Sequence, residues 1–232
     1  NFLFAAGELG IEDDLLDDVR NAMDRLAQPK IGADGRILEW RTDLPEAEPG
    51  HRHVSHLVGL MPGDRISLRK TPDLAAAALA SIDGRFAHGY HAQGWSLGWI
   101  TALLARLGEG GRVLELIDST YTRKLYPNLF VDAHGNVQVG DMMGVPAAMV
   151  ELLVQSQDGD LHLLPALPAG WQSGRLKGFC ARGGFVVDAE WAGGRLTSAT
   201  IHSRQGGPCE VYYDGKATTL ETQAGESYTL PL

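Results

Sequence analysis

Cysteine is almost missing from this chain. Two occur in 232 residues, Cys180 and Cys209, both in a glycine-rich, strand-like stretch. They are candidates for one disulfide, but two cysteines define neither a disulfide framework nor a metal site, so the compartment stays open. Basic clusters are lacking too. Twenty Lys and Arg against 29 Asp and Glu leave a formal charge of −9, which gives phosphate backbones nothing to hold and argues against a nucleic-acid partner. A neutral ligand is expected. No apolar run approaches the roughly 18 residues needed to cross a bilayer, so no membrane partner is expected. No tandem repeat is visible. The chain opens Asn1-Phe2-Leu3-Phe4-Ala5-Ala6, without a methionine or signal-like segment. That opening reads as the middle of a helix and predicts a piece of a longer protein.

The polar chemistry that is present concentrates in His51-Arg52-His53-Val54-Ser55-His56-Leu57-Val58-Gly59-Leu60-Met61-Pro62-Gly63. Three histidines and an arginine stand directly before an apolar run closed by a Pro-Gly turn, so polar groups are pressed against a buried surface. Three readings are open. Neutral imidazoles bind zinc, and two at i, i+3 share a helix face. The same residues line a sugar or carboxylate pocket if Arg52 is a bidentate donor and the imidazoles are hydrogen-bonding walls. In the third reading they are structural histidines bonded to backbone at a helix start. The metal reading needs a further Asp, Cys or His, and Ser55 stands where metal-dependent hydrolases with a related motif carry Asp.

At 232 residues and 44% hydrophobic content, the chain suffices for one large or two modest domains. Up to about Ala27, Leu9, Leu15, Leu16, Val19, Met23 and Leu26 fall near helical spacing, with Pro29 as a stop. Ile31 to Trp40 reads as a short hairpin leading into an acidic loop, in which Glu39 beside Trp40 resembles a carbohydrate-binding pair. Thr71-Pro72-Asp73 opens an Ala-rich helix, with Thr71 as cap. His88 to Ser96 crowds histidines, aromatics and glycines before a helical run from Leu97 to Leu107; Trp95 offers a flat face to a sugar ring, or packs in the core. Leu129 to Gly144 reads as a polar loop with Asp132, His134, Gln138 and Asp141, and the helical pattern resumes from Val145 to Gln155. Asp141, beside Gly140 and two methionines, is expected to be partly desolvated, with its pKa raised toward that of a useful base.

From Leu161 the pattern changes to short β-rich runs, 161–164, 178–182, 185–191, 196–203 and 210–213, separated by glycine-rich turns. Helices first and strands second predict an α+β multidomain chain, with a helical part over residues 1–160 and an antiparallel, β-sandwich-like domain over 161–232.

Six blocks, in order, resemble glycoside hydrolase family 95, whose best-known activity is 1,2-α-L-fucosidase: Gly35-Arg36-Ile37-Leu38-Glu39-Trp40, the histidine segment from His51 to Leu57, Gly94-Trp95-Ser96 with Ala105-Arg106-Leu107, Asn128-Leu129-Phe130, Leu163 to Pro168, and Ala181-Arg182-Gly183-Gly184-Phe185. The resemblance implies the later helices of an (α/α)6 barrel followed by the β domain, and an inverting mechanism acting on an oligosaccharide. It implies sugar-binding roles for Arg52 and His53, and no cofactor or zinc. His56, Trp95 and Gln138 join them as candidate substrate-binding residues. The family's acid Glu and the asparagine pair assisting its base are expected upstream of Asn1. Where the family reads Phe-Gln-Ile-Asp-Gly-Asn-Phe-Gly, with that Asp as base, this chain reads Val137-Gln138-Val139-Gly140-Asp141-Met142-Met143-Gly144. An ungapped match puts Gly140 at the base position and Asp141 one residue later, about 3.8 Å along the backbone. Asp141 is therefore the candidate catalytic residue, and a catalytically degenerate, carbohydrate-binding relative is the alternative.

Overall fold

The computed structural model describes residues 2–133 and 135–231, so His134 of the expected polar loop lies outside the described residues. The chain divides into two compact units, one ending at Lys30 and the other starting at Ile31. The first holds helices α1 (Phe2–Glu8) and α2 (Asp14–Met23). Asp13 caps α2, its Oδ1 accepting the Leu15 N–H at 2.8 Å, and Asp14 and Asp17 lie in the first turn, where the helix dipole favours negative charge.

The second unit begins with the expected short hairpin, an antiparallel bridge between Ile31 and Ile37. Helix α3 (Pro72–Ala87) follows the histidine segment. Its Thr71 does not cap it: Thr71 Oγ1 accepts the Ser67 N–H at 2.9 Å, turning back toward the preceding loop instead of forward to the helix. Helices α4 (Trp95–Arg106) and α5 (Gly110–Leu116) come next, and α5 runs on as a π-helical turn over Ile117–Tyr121. After a minimal hairpin, β1 (Asp132–Ala133) with β2 (Asn136–Val137), helix α6 spans Val139–Leu153. This corrects the sequence reading. The helix starts six residues before Val145, so Asp141 lies in its first turn and not in a loop.

Helix α4 is buried nearly all round, and α6 crosses it closely because glycines meet at the crossing. A Cβ added at Gly98 would stand 2.9 Å from the Gly144 Cα. Arg106, buried at the end of α4, ties three segments together. Its Nη1 donates to the Leu60 and Gly63 carbonyls, both at 2.7 Å, and its Nε and Nη2 hold the two oxygens of Glu151 on α6 at 3.1 and 3.2 Å. Arg106→Leu leaves Glu151 and two carbonyls without their partner. An expected loss of about 3–5 kcal/mol follows, to be read by urea unfolding. A loss under about 1 kcal/mol would contradict this role.

Strand β3 (Val154–Gln155) follows α6 without a break, and β4 (Leu161–Leu163), β5 (Ser173–Ala181), β6 (Phe185–Ala192), β7 (Arg195–Ser203), β8 (Gly207–Tyr213), β9 (Lys216–Thr222) and β10 (Ser227–Thr229) complete two four-stranded sheets, ordered β10-β7-β6-β5 and β3-β4-β8-β9. Val187, Ala189, Trp191, Ala199 and Ile201 of one sheet and Cys209 and Val211 of the other share one hydrophobic core. All neighbours pair antiparallel except β4 with β8, which run parallel because the chain builds β5 to β7 in the other sheet before returning. Cys180 is exposed and Cys209 buried, on different sheets, so both are free thiols and the disulfide expectation fails. The helical and β portions of this unit are joined by Arg69, whose Nη2 donates to the Asp160 carboxylate and whose guanidinium lies 4.3 Å over the Tyr212 ring.

Candidate functional site

Trp95, the first residue of α4, is the residue around which the expected site residues gather. Its indole lies 4.7 Å from the His53 ring, centroid to centroid, and 5.9 Å from Trp99 one turn along the helix. His51 meets His53 edge-on at 4.6 Å. Trp99 donates its Nε1–H to the Met61 carbonyl at 2.8 Å, which pins the histidine segment to α4. Trp95 itself is 41% exposed and presents a flat apolar face.

His53 Nε2 is buried and makes no hydrogen bond among the described residues. Burial first, then the charges of Arg52 and His51, pull its pKa below the ordinary histidine value, so the ring is held neutral. Arg52 is exposed, with its charge acting on both His53 and Tyr90.

Gln138, just before α6, accepts the Trp95 backbone N–H through Oε1 at 3.3 Å. Two glycines make this approach possible. Gly94, at φ +55°, would place a Cβ 2.1 Å from Gln138 Oε1, and a Cβ on Gly140 would sit 2.6 Å from the Trp95 Cβ. Gly140 is thus a spacer against the tryptophan.

Asp141, the next residue, is 0% exposed. Its Oδ1 accepts the Met142 N–H at 3.0 Å, and its Oδ2 is buried without a hydrogen bond among the described residues. Burial raises its pKa above the usual carboxylate value, while backbone N–H groups and the Lys124 charge pull the other way. Burial first, then the charge of Asp141, raises the pKa of Tyr121 in the π-helical turn. A cavity of about 470 Å³, lined by Tyr90, His91, Gln93, Glu115 and Lys124 among others, opens on that side of the fold; none of Arg52, His53, Trp95, Gln138 or Asp141 lines it.

His56 does not join the group. Its side chain is 4% exposed and its Nδ1 lies 3.9 Å from Glu39 Oε2. Burial takes its pKa down to about 4. Glu39 in turn is held by Arg85 Nη2 at 3.0 Å, and Arg85 also reaches Glu46 at 3.3 Å. Glu39 is therefore an ion-pair partner, and its neighbour Trp40 stands 62% exposed. The sequence reading missed Arg85, Tyr121 and Lys124. Arg85 is the charged residue of an otherwise apolar face of α3, which was a usable signal; the other two are ordinary surface residues in sequence and carried none.

Helices that bear an aromatic and histidine platform, followed directly by a two-sheet domain, put this chain in the class of α+β multidomain proteins. Comparison with known sequences makes the assignment specific. Residues 1–153 match the profile described as glycosyl hydrolase family 95 catalytic domain, and residues 155–230 match the one described as glycoside hydrolase family 95, C-terminal domain. The chain belongs to glycoside hydrolase family 95. It is 38% identical over 229 residues to alpha-L-fucosidase 2 of Arabidopsis thaliana, covering 94% of this chain and 27% of that protein. It is 29% identical over 211 residues to probable alpha-fucosidase A of Aspergillus oryzae, covering 80% and 29%, and 29% identical over 178 residues to that of Aspergillus niger, covering 69% and 22%. The chain thus spans between about a fifth and a third of the length of these curated relatives.

Proposed function

We propose that this chain is the C-terminal part of an inverting glycoside hydrolase that removes a terminal α-L-fucosyl, or related α-L-galactosyl, residue from an oligosaccharide. The observation that carries the reading is the match to both family 95 domains along nearly the whole chain, with relatives named as fucosidases. In this reading residues 1–160 supply the later helices of an (α/α)6 barrel and residues 161–232 the β domain. Trp95 stacks on the sugar ring. His53, neutral and with a free buried nitrogen, meets a hydroxyl, and Arg52 contributes the cationic donor. Gln138 orients the start of α6. His56 is assigned to holding the histidine segment, because its side chain is buried against Glu39 and Arg85.

Asp141 is assigned as the general base through a local rearrangement at the start of α6, because its carboxylate is 0% exposed and the attacking water must reach it. A desolvated carboxylate with a raised pKa and one unpaired oxygen suits removal of a proton from the attacking water. In an inverting hydrolase this water attacks the anomeric carbon from the face opposite the leaving group, while a carboxylic acid protonates the departing oxygen. No cofactor is required for either step.

One observation favours a second reading, a carbohydrate-binding relative without hydrolysis. A Cβ on Gly140, the residue that an ungapped reading puts at the family's base position, would lie 2.6 Å from the Trp95 Cβ. The deciding experiment gives the full-length protein a 2-linked α-L-fucosyl oligosaccharide and follows the released sugar by NMR. Initial release of β-fucose supports the inverting fucosidase. Inactivity on this substrate and on α-L-galactosyl analogues, with binding retained, would replace it with the binding reading.

A further inference from the structure

The outer face of the sheet β10-β7-β6-β5 carries a hydrogen-bonded line of three side chains unrelated to the sugar site. Phe185, Val187, Ala189 and Trp191 of β6 are buried, so the alternation of the strand turns Asp188 outward. Ala199, Ile201 and Ser203 of β7 are buried, which turns His202 to the same face. The register sets Ser227 of β10 directly opposite His202, and Asp188 opposite Thr200, diagonal to it.

The contacts have a direction. Ser227 Oγ lies 2.7 Å from His202 Nδ1, and His202 Nε2 lies 3.1 Å from Asp188 Oδ2. A carboxylate accepts only, so the imidazole proton belongs on Nε2 and the Nδ1 lone pair accepts the serine O–H. Asp188 is itself anchored: the β-bulge between Leu176 and Phe179 brings the Gly178 N–H to its Oδ1 at 2.7 Å. That bond and His202 keep the Asp188 carboxyl below the usual carboxylate range, hence ionised. A nucleophile on a base that is oriented by a third group is the general arrangement of nucleophilic catalysis. The His202 side chain is 39% exposed and Ser227 is exposed, so a small electrophile has access.

We propose that Ser227 is an activated nucleophile, with His202 as its general base and Asp188 as the residue positioning His202, and that it cleaves small, unhindered acyl esters. Ser227 Oγ bonds to the ester carbonyl carbon while its proton passes to His202 Nδ1. The carbon–oxygen bond to the leaving alkoxide breaks, and the alkoxide takes that proton. Water then attacks the acyl-serine, giving its proton to the same nitrogen; the carboxylic acid departs and Ser227 regains its hydrogen. Asp188 stabilises the transient imidazolium. General-base assistance contributes about 10² to 10⁴ in rate, and a dedicated oxyanion site would contribute about 10² to 10³ more. With general-base assistance alone, turnover is slow and release rises linearly with ester concentration.

The test uses the full-length protein with p-nitrophenyl acetate and, separately, a fluorophosphonate followed by peptide mapping. A phosphonyl adduct on Ser227 is expected, together with nitrophenolate release that falls at least about tenfold in Ser227→Ala. Asp188→Asn should slow labelling and move the His202 ring ¹⁵N resonances toward the other tautomer, with Asp188→Glu restoring part of both; a purely structural Asp188 would leave the tautomer unchanged. Absence of an adduct on Ser227, or equal ester cleavage in Ser227→Ala, overturns the proposal. Ser227 and Asp188 lie on the outer face, so these variants retain the fold. The outcome is independent of the fucoside reading, which concerns other residues and another bond.

Discussion

Asp141→Asn in the full-length protein is expected to lower kcat/KM for α-L-fucoside hydrolysis by roughly 10² to 10⁴, the usual contribution of a general base. Asparagine is nearly the same size and still accepts the Met142 N–H, so the first turn of α6 and the contact of Gln138 with Trp95 should survive. What disappears is the ability to take a proton. Binding should therefore change little while kcat falls, the pattern of an interaction used in the transition state alone. In the parent, the rate should rise with pH as Asp141 loses its proton, at a pH above that of an ordinary carboxylate because burial favours the acid form. Unchanged kcat in Asp141→Asn would remove Asp141 from the mechanism. Gly140→Asp would drive a Cβ into Trp95 and is expected to cost stability through overpacking.

Acidification should destabilise the chain through two partly buried histidines. His56 and His162 are both held neutral, with pKa values lowered from 6.5 to about 4, chiefly by burial. For His162 the neighbouring Arg69 adds to the effect; for His56 the nearby Glu39 works against it. Above pH 6.5 each ring is neutral in both the folded and the unfolded chain and costs nothing. As pH falls below 6.5 the unfolded chain takes up protons that the folded chain refuses, so stability is lost progressively toward pH 4. The difference corresponds to about 3 kcal/mol for each histidine, about 6 for both. His56→Gln and His162→Gln should each flatten the fall between pH 6.5 and 4, measured as unfolding free energy in urea. A slope identical to the parent's in both variants would show that neither histidine drives it.

The sheets show what local pattern reveals. Strand β6 was legible as a β-rich run from Phe185 to Trp191, and the structure buries alternate residues there. Strands β9 and β10, by contrast, were not read from the sequence. Lys216–Thr222 is rich in threonine and charge, and Ser227–Thr229 is three residues long, so neither carries a hydrophobic period. They form because β8 and β7 offer unpaired edges to them.

Residue order alone determined the succession of helices and then strands, and the family. These depend on periodicity and on short motifs, which are local properties of the chain. Tertiary structure decided the rest. Glu39 became an ion-pair partner because Arg85, 46 positions away, is buried beside it. His56 left the site because the same pair lies next to its ring. Asp141 entered a helix and lost its solvent because α6 starts at Val139 and crosses α4 through Gly98 and Gly144. The serine, histidine and aspartate of the outer sheet face came into line only through strand register, which joins positions 188, 202 and 227. Contacts between segments so far apart depend on packing distances that no local pattern in the chain encodes.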